Sequence, residues 1–238
     1  MAGAPSYEDF ARALEARSRL AASVLHRKLP HFGFEAKILD LGFGDGALLL
    51  EFDRLRPGHV FWGVDPCPLE LNALRASISS GEFRVCSKLE DVDSALKFDL
   101  IIASHVYYYF DLLDWPHPHN NLMNRLAPGG FLVVAMASKH SEIYFTKADH
   151  VSPSQEGGAP ERTASLFLHI EDLMNIRPEY CMSWTIDYGL DVDEDSFRSF
   201  YVFANRLADL NSEQVSHCAR LYADSQNLVT DKWLVYKG

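Results

Sequence analysis

The sequence predicts an α/β fold: a mostly parallel sheet with helices on both faces. Short apolar runs alternate with helical patterns between Lys37 and Ala137, and the first of those runs stops at a cluster of glycines. The runs are apolar throughout, as strands covered on both faces are. With 238 residues, 47% of them hydrophobic, the chain can bury one sizeable core, and it is read as a single domain spanning 1–238.

Taken in order, Ser6 to Leu29 reads as one amphipathic helix. Phe10, Leu14, Leu20, Val24 and Leu25 recur at roughly helical spacing, with Arg12, Arg17, Arg19 and Lys28 between them. Ser6 is placed to cap the start, and Pro30 ends the helix. Strands are expected at Lys37–Leu41, Val60–Val64, Phe83–Cys86, Leu100–Ala103 and Phe131–Ala137. Helices are expected at Ala47–Leu55, Leu69–Ile78, near Glu90–Leu96 and at His119–Leu126. Beyond Ala137 the alternation stops. Lys147–Thr163 is polar and rich in Gly, Pro and Ser, hence a loop. Leu166–Ile176 suggests a short helix, Met182–Tyr188 a strand, Glu194–Tyr222 helical structure with a new start at Asn211, and Trp233–Tyr236 a last strand.

The chemistry concentrates where the first strand meets Gly42-Phe43-Gly44-Asp45-Gly46. Glycines let the chain turn sharply and let a ligand approach backbone amides, and the following helix turns its positive end to that space. Asp65, closing the second strand, is placed to accept both hydroxyls of a ribose. The loop also satisfies the dinucleotide variant Gly-x-Gly-x-x-Ala through Gly42, Gly44 and Ala47, so a nicotinamide or flavin enzyme enters as an alternative. The later segments Phe98–Ser104 and Leu126-Ala127-Pro128-Gly129-Gly130, each leading into a further strand, weigh against it.

Asp-x-Gly-x-Gly-x-Gly, the acid closing strand two, Phe-Asp before strand four and Leu-x-Pro-Gly-Gly before strand five together resemble the class I S-adenosylmethionine (SAM)-dependent methyltransferases. The resemblance covers roughly Lys37 to Ala137. It implies a seven-stranded Rossmann-like methyltransferase fold, with an N-terminal lid helix at 6–29, a SAM-binding core at 37–137, and a capping region at 138–238 with helical embellishment and the last strands. It also implies SAM as methyl donor and S-adenosyl-L-homocysteine as product. Gly42, Gly44 and Gly46 would line the methionine part, Asp40 its amino group, Asp65 the ribose and Pro66 the adenine. Ser87 and Lys88 would close over the adenine, where the usual acidic residue is absent and Glu90 is a rival. Ser104 would neighbour the donor.

The segment after strand four should face both donor and acceptor. His105 is the candidate base and substrate contact, and Tyr108 and Tyr109 are the tyrosines expected to reach the substrate. A finer likeness is to the histamine N-methyltransferase branch. It rests on the opening helix leading into Lys28-Leu29-Pro30, the Tyr-Tyr pair, Leu168–Leu173 and Leu190-Asp191-Val192-Asp193, and it implies substrate contacts at Glu15 or Arg17, His105 and Asn227. Arg17 facing the pocket would suit a carboxylate-bearing substrate. The carboxylates Asp187, Asp191, Asp193, Glu194 and Asp195 would suit a guanidinium, imidazolium or ammonium group.

The expected reaction is N-methylation of a small amine or amino acid, with a guanidine, imidazole or primary amine as acceptor. O-methylation of a natural-product scaffold and a non-catalytic SAM-binding regulatory module are the alternatives. A formal net charge of -11 argues against nucleic acid and anionic membranes as partners. Cys67, Cys86, Cys181 and Cys218 form no metal-site spacing, so no metal is expected. No secretory or membrane-spanning pattern is read, which predicts a cytoplasmic protein, monomer or homodimer.

Overall fold

A computed structural model of the chain describes residues 7–33, 35–67, 82–110, 115–137, 180–188, 194–195, 197–198, 212–223 and 229–238. Its elements are helix α1 (Tyr7–Lys28), strand β1 (Lys37–Leu41), helix α2 (Ala47–Leu55), strands β2 (Val60–Val64), β3 (Glu82–Cys86) and β4 (Phe98–Ser104), helix α3 (Pro116–Asn124), strands β5 (Leu126–Ala137) and β6 (Tyr180–Tyr188), helix α4 (Ser212–Ala223) and strand β7 (Val229–Lys237). Short 3-10 turns lie at Leu89–Asp91 and Tyr107–Tyr109. The helix expected at Leu69–Ile78, the loop at Lys147–Thr163 and the helix at Leu166–Ile176 lie outside the described residues.

The strands form one seven-stranded sheet in the order β3-β2-β1-β4-β5-β7-β6. The pairs β2–β3, β1–β2, β1–β4 and β4–β5 are all parallel. The order reverses between β1 and β4, so a crevice opens beyond their carboxyl ends, where ligands of such sheets bind. Uniform apolarity in β1 and β4 has the meaning expected of it: Ile38, Leu39, Leu100, Ile101, Ile102 and Ala103 are fully buried. The chain groups into two compact units, one of Met1–Arg17, Ala137–His169 and Thr185–Lys232, the other of Ser18–Met136, Ile170–Trp184 and Trp233–Gly238.

Several boundaries differ from the sequence reading for physical reasons. β4 begins two residues early, at Phe98, because the polar Asp99 is a strand residue whose Oδ2 accepts the Lys37 backbone N–H at 2.8 Å. β5 begins at Leu126, and Leu-Ala-Pro-Gly-Gly is part of the strand with a register shift between Phe98 and Leu100. A Cβ on Gly130 would stand 2.8 Å from the Phe98 carbonyl oxygen, so this crossing admits only glycine. The Glu90–Leu96 helix is a single 3-10 turn at Leu89–Asp91.

Two buried arginines hold the connections opposite the crevice. The Arg56 guanidinium gathers the carbonyls of His26, Leu29 and Pro30 and the Nδ1 of His26, satisfying the open end of α1. Arg125 donates to the carbonyls of Val92 at 3.1 Å and Asp93 at 3.3 Å, fixing the return from β3 to β4.

Candidate active site

The site is built from the carboxyl ends of β1, β2 and β4. Gly42, Gly44 and Gly46 have φ of 71°, 56° and 77°, the left-handed region that a Cβ disfavours. Those conformations wind the chain into a tight loop, closed by the Gly46 N–H on the Phe43 carbonyl at 2.9 Å, and α2 follows at once. Asp45 Oδ1 accepts the Ala47 N–H at 3.0 Å in the first turn of that helix. β2 holds the loop from the side: the Gly42 N–H donates to the Val64 carbonyl at 2.7 Å.

Asp65 continues that clasp. Its Oδ2 accepts the Gly44 N–H at 3.0 Å and its Oδ1 accepts the Cys67 N–H at 2.9 Å. A carboxylate offers about four lone-pair sites, so these two amides orient the buried group and leave capacity for the two hydroxyls of a diol. Pro66, next to it, is exposed.

Asp40 lies deeper, 1% exposed, and its Oδ1 has no hydrogen-bond partner. Burial, then the negative charges of Asp65 and Asp45, hold its carboxyl well above the ordinary carboxylate range. A buried acceptor in a field of like charges is complementary to a cation. Space for a ligand lies at Gly44, where an added Cβ would meet nothing within 4 Å, whereas on Gly42 it would stand 2.8 Å from Val106 Cγ2. The residues thus fit a donor that carries cationic centres and a ribose.

The loop after β3 is organised by Asp91, which the sequence reading did not single out. Its Oδ2 accepts the Ser87 hydroxyl at 3.1 Å and the Lys88 N–H at 3.2 Å, while the Ser87 and Lys88 side chains are exposed. Ser104 is half-buried at the end of β4. His105 follows with φ of 57°, and its N–H is fixed on the Ala135 carbonyl at 2.9 Å. A non-glycine residue in that region is uncommon, and such strain clusters at functional sites. The tyrosines then part: Tyr107 is fully buried, Tyr109 is 69% exposed, and the Tyr108 side chain lies outside the described set.

Elsewhere, in the other compact unit, Arg17 is buried, and its Nε and Nη2 both reach Asp231 Oδ2, at 3.1 and 2.6 Å. Its charge is met by a carboxylate of the chain itself, a residue that no motif flagged. Glu194 and Asp195 are exposed. The Glu15 and Asp187 side chains, and Asp191, Asp193 and Asn227, lie outside the described residues. Among the described residues no helix is long and apolar enough to cross a membrane.

A family profile described as a methyltransferase domain matches residues 13–180. No curated protein matches. Solved structures share the fold at low identity. The plantazolicin methyltransferase BpumL in complex with S-adenosylhomocysteine aligns at 16% identity and a TM-score of 0.54, over 98% of this chain and 86% of that one. The N-methyltransferase NodS from Bradyrhizobium japonicum WM9, also in complex with S-adenosyl-L-homocysteine, aligns at 15% and 0.54, over 100% and 93%. Coclaurine N-methyltransferase aligns at 13% and 0.58, over 93% and 72%.

Proposed function

The chain belongs to the methyltransferase domain family, and from that premise we propose that it moves the methyl group of SAM to a nitrogen of a small amine or amino acid. SAM is the methyl donor of this enzyme, and held at the glycine loop it would supply a methyl on an electrophilic sulfonium. The donor assignment is carried by one observation: the buried Asp40 oxygen without a partner, set beside Asp65 at a loop that is open at Gly44. In this reading Asp40 faces the donor's ammonium and Asp65 its ribose hydroxyls. Pro66 and the Ser87–Lys88 turn flank the adenine, and Ser104 lies against the donor.

Methyl transfer to nitrogen needs the acceptor in line with the methyl, water kept out, and a proton removed. His105 is assigned the proton. An ammonium acceptor would release it to the imidazole, which frees the nitrogen lone pair. The fixed backbone of His105 at the end of β4 supports that role. Tyr108 and Tyr109 are assigned to the acceptor, together with Asp187, Asp191 and Asn227. The N-methyltransferases among the structural neighbours and the finer likeness to the histamine N-methyltransferase branch support nitrogen as acceptor. The Arg17–Asp231 pair points away from Arg17 as a ready receptor for a substrate carboxylate, so within that class simple amines are favoured over amino acids.

The test is incubation with methyl-labelled SAM and a panel of amines, amino acids and phenols. Label in an amine, lost on replacing His105 by Ala while SAM affinity is kept, is the expected result. Label in phenols alone would make it an O-methyltransferase. Tight SAM binding with no transfer to any acceptor would make it a regulatory module.

A further inference from the structure

We propose that Tyr107 and His119 are positioning residues for methyl transfer: their buried contact holds the turn after β4 so that Val106 bears on the glycine loop and His105 keeps its backbone conformation. The proposal rests on the reading that this loop and turn hold donor and acceptor.

Tyr107 is the fixed point of the turn. Its side chain is fully buried, and its hydroxyl is hydrogen-bonded to Nδ1 of His119 on α3 at 3.1 Å. Its carbonyl accepts the Trp115 Nε1–H at 2.9 Å. The rings of Phe110 at 5.6 Å and Trp115 at 6.4 Å meet it edge-on. His119 is anchored in turn, edge-on to Tyr236 of β7 at 4.6 Å between centroids. Burial pushes the His119 imidazole down to about 4, so at neutral pH the imidazole in this contact is uncharged.

The two residues just before Tyr107 are the ones that reach the site. Val106 leans on the glycine loop, its Cγ2 and Cβ lying 2.8 and 3.0 Å from where a Cβ on Gly42 would be. His105, the assigned base, holds a φ of 57°. A non-glycine residue keeps that conformation where its surroundings over-determine it. Here the Ala135 carbonyl fixes one side of the segment and Tyr107 the other. Inside an aromatic cluster, two apolar side chains would give comparable burial. A tyrosine–histidine pair adds direction, since each polar group is satisfied only at one height and rotation of its partner.

The test uses S-adenosylhomocysteine as the probe, titrated calorimetrically at a temperature well below every variant's unfolding midpoint. Tyr107→Phe removes only the hydroxyl, and His119→Leu removes its partner. Each is expected to weaken the probe roughly five- to tenfold, the effect of one lost buried hydrogen bond carried to the site. The double variant should lose no more than either single one. His119→Gln keeps a polar partner and should return affinity to within about threefold of wild type. Variants that unfold earlier yet bind like wild type would overturn the proposal and leave the pair a packing element. A wild-type protein that does not bind the probe would instead overturn the donor-site reading beneath it. Should Tyr107→Phe fail to fold, Val106→Ala tests the same transmission without touching the buried pair: a similar loss supports it, and unchanged affinity overturns it.

Discussion

Replacing Gly44 by Ala separates what the loop does for the fold from what it does for a ligand. The residue sits at φ 56°, so any Cβ is disfavoured, but the new methyl would meet nothing within 4 Å. Left-handed backbone costs a non-glycine residue about 1–2 kcal/mol, and the smaller entropy of the unfolded alanine chain offsets about 0.4–1 of that. The free protein should therefore lose roughly 1 kcal/mol. Gly42→Ala is the internal control. Its φ of 71° brings the same backbone penalty, but its methyl runs into Val106 at 2.8 Å. Overpacking adds roughly 1–3 kcal/mol, for a total of about 2–4. If the open space at Gly44 is where the donor lies, its methyl occupies ligand volume instead, and roughly 1–3 kcal/mol of binding is lost, about five- to 150-fold in Kd. Urea unfolding of the free variants and calorimetric titration with S-adenosylhomocysteine read the two effects separately. Gly44→Ala binding like wild type would refute the placement of the ligand. Gly44→Ala as destabilised as Gly42→Ala would refute the packing argument.

Other outcomes follow from the same geometry. Asp40→Asn should stabilise the free protein at neutral pH while weakening SAM. The folded-state carboxyl is raised above 3.8, so its contribution is present at acid pH and is lost as pH rises through the raised value. Urea midpoints against pH check the first half and calorimetry the second; a less stable Asn variant would contradict the burial argument. His119 has the opposite sign. Neutral in the fold down to about 4 but protonated below 6.5 in the unfolded chain, it makes stability fall as pH drops through that window, by roughly 3 kcal/mol. His119→Gln should flatten that part of the profile, and an unchanged slope would refute it. Asp231→Leu removes the carboxylate that the buried Arg17 guanidinium bonds and should destabilise the fold by about 3 kcal/mol, and Arg17→Met in the same chain should recover part of that loss. Additive losses in thermal unfolding would contradict the pairing.

The centre of the fold was legible because one force dominates there. β1 and β2 are buried on both faces, and their apolar runs end where the strands end. Misreadings arose where a polar or small residue serves a neighbouring strand. Asp99 reads as a strand breaker but accepts the first N–H of β1. Gly129 and Gly130 read as a turn, yet they bond Gly238 at the end of β7 as part of the sheet. The start of β7 was missed because Asp231 is polar; its burial is explained by Arg17, far away in sequence. At the candidate site, the placement of Asp40, Asp65 and the glycines around the carboxyl ends of β1 and β2 was legible, because the apolar runs end there and the glycines follow. Val106, Asp91 and the Tyr107–His119 contact were not. A three-residue 3-10 turn has no periodicity to reveal which distant residue its buried tyrosine meets, and a carboxylate that caps a loop looks like any surface acid. Arg17 shows the limit most clearly: the sequence locates a positive charge on the first helix, and only the fold reveals the carboxylate that answers it.

The most direct test of the account is calorimetric titration of SAM into the wild-type protein and into Asp65→Ala. In the wild type Asp65 both clasps the Gly44 amide and is assigned the ribose hydroxyls. Saturable one-site binding in the wild type is predicted, weakened at least roughly tenfold in a variant that keeps its folded circular dichroism, as loss of charged hydrogen bonds requires. No binding by the wild type, or the same affinity in both proteins, would contradict it.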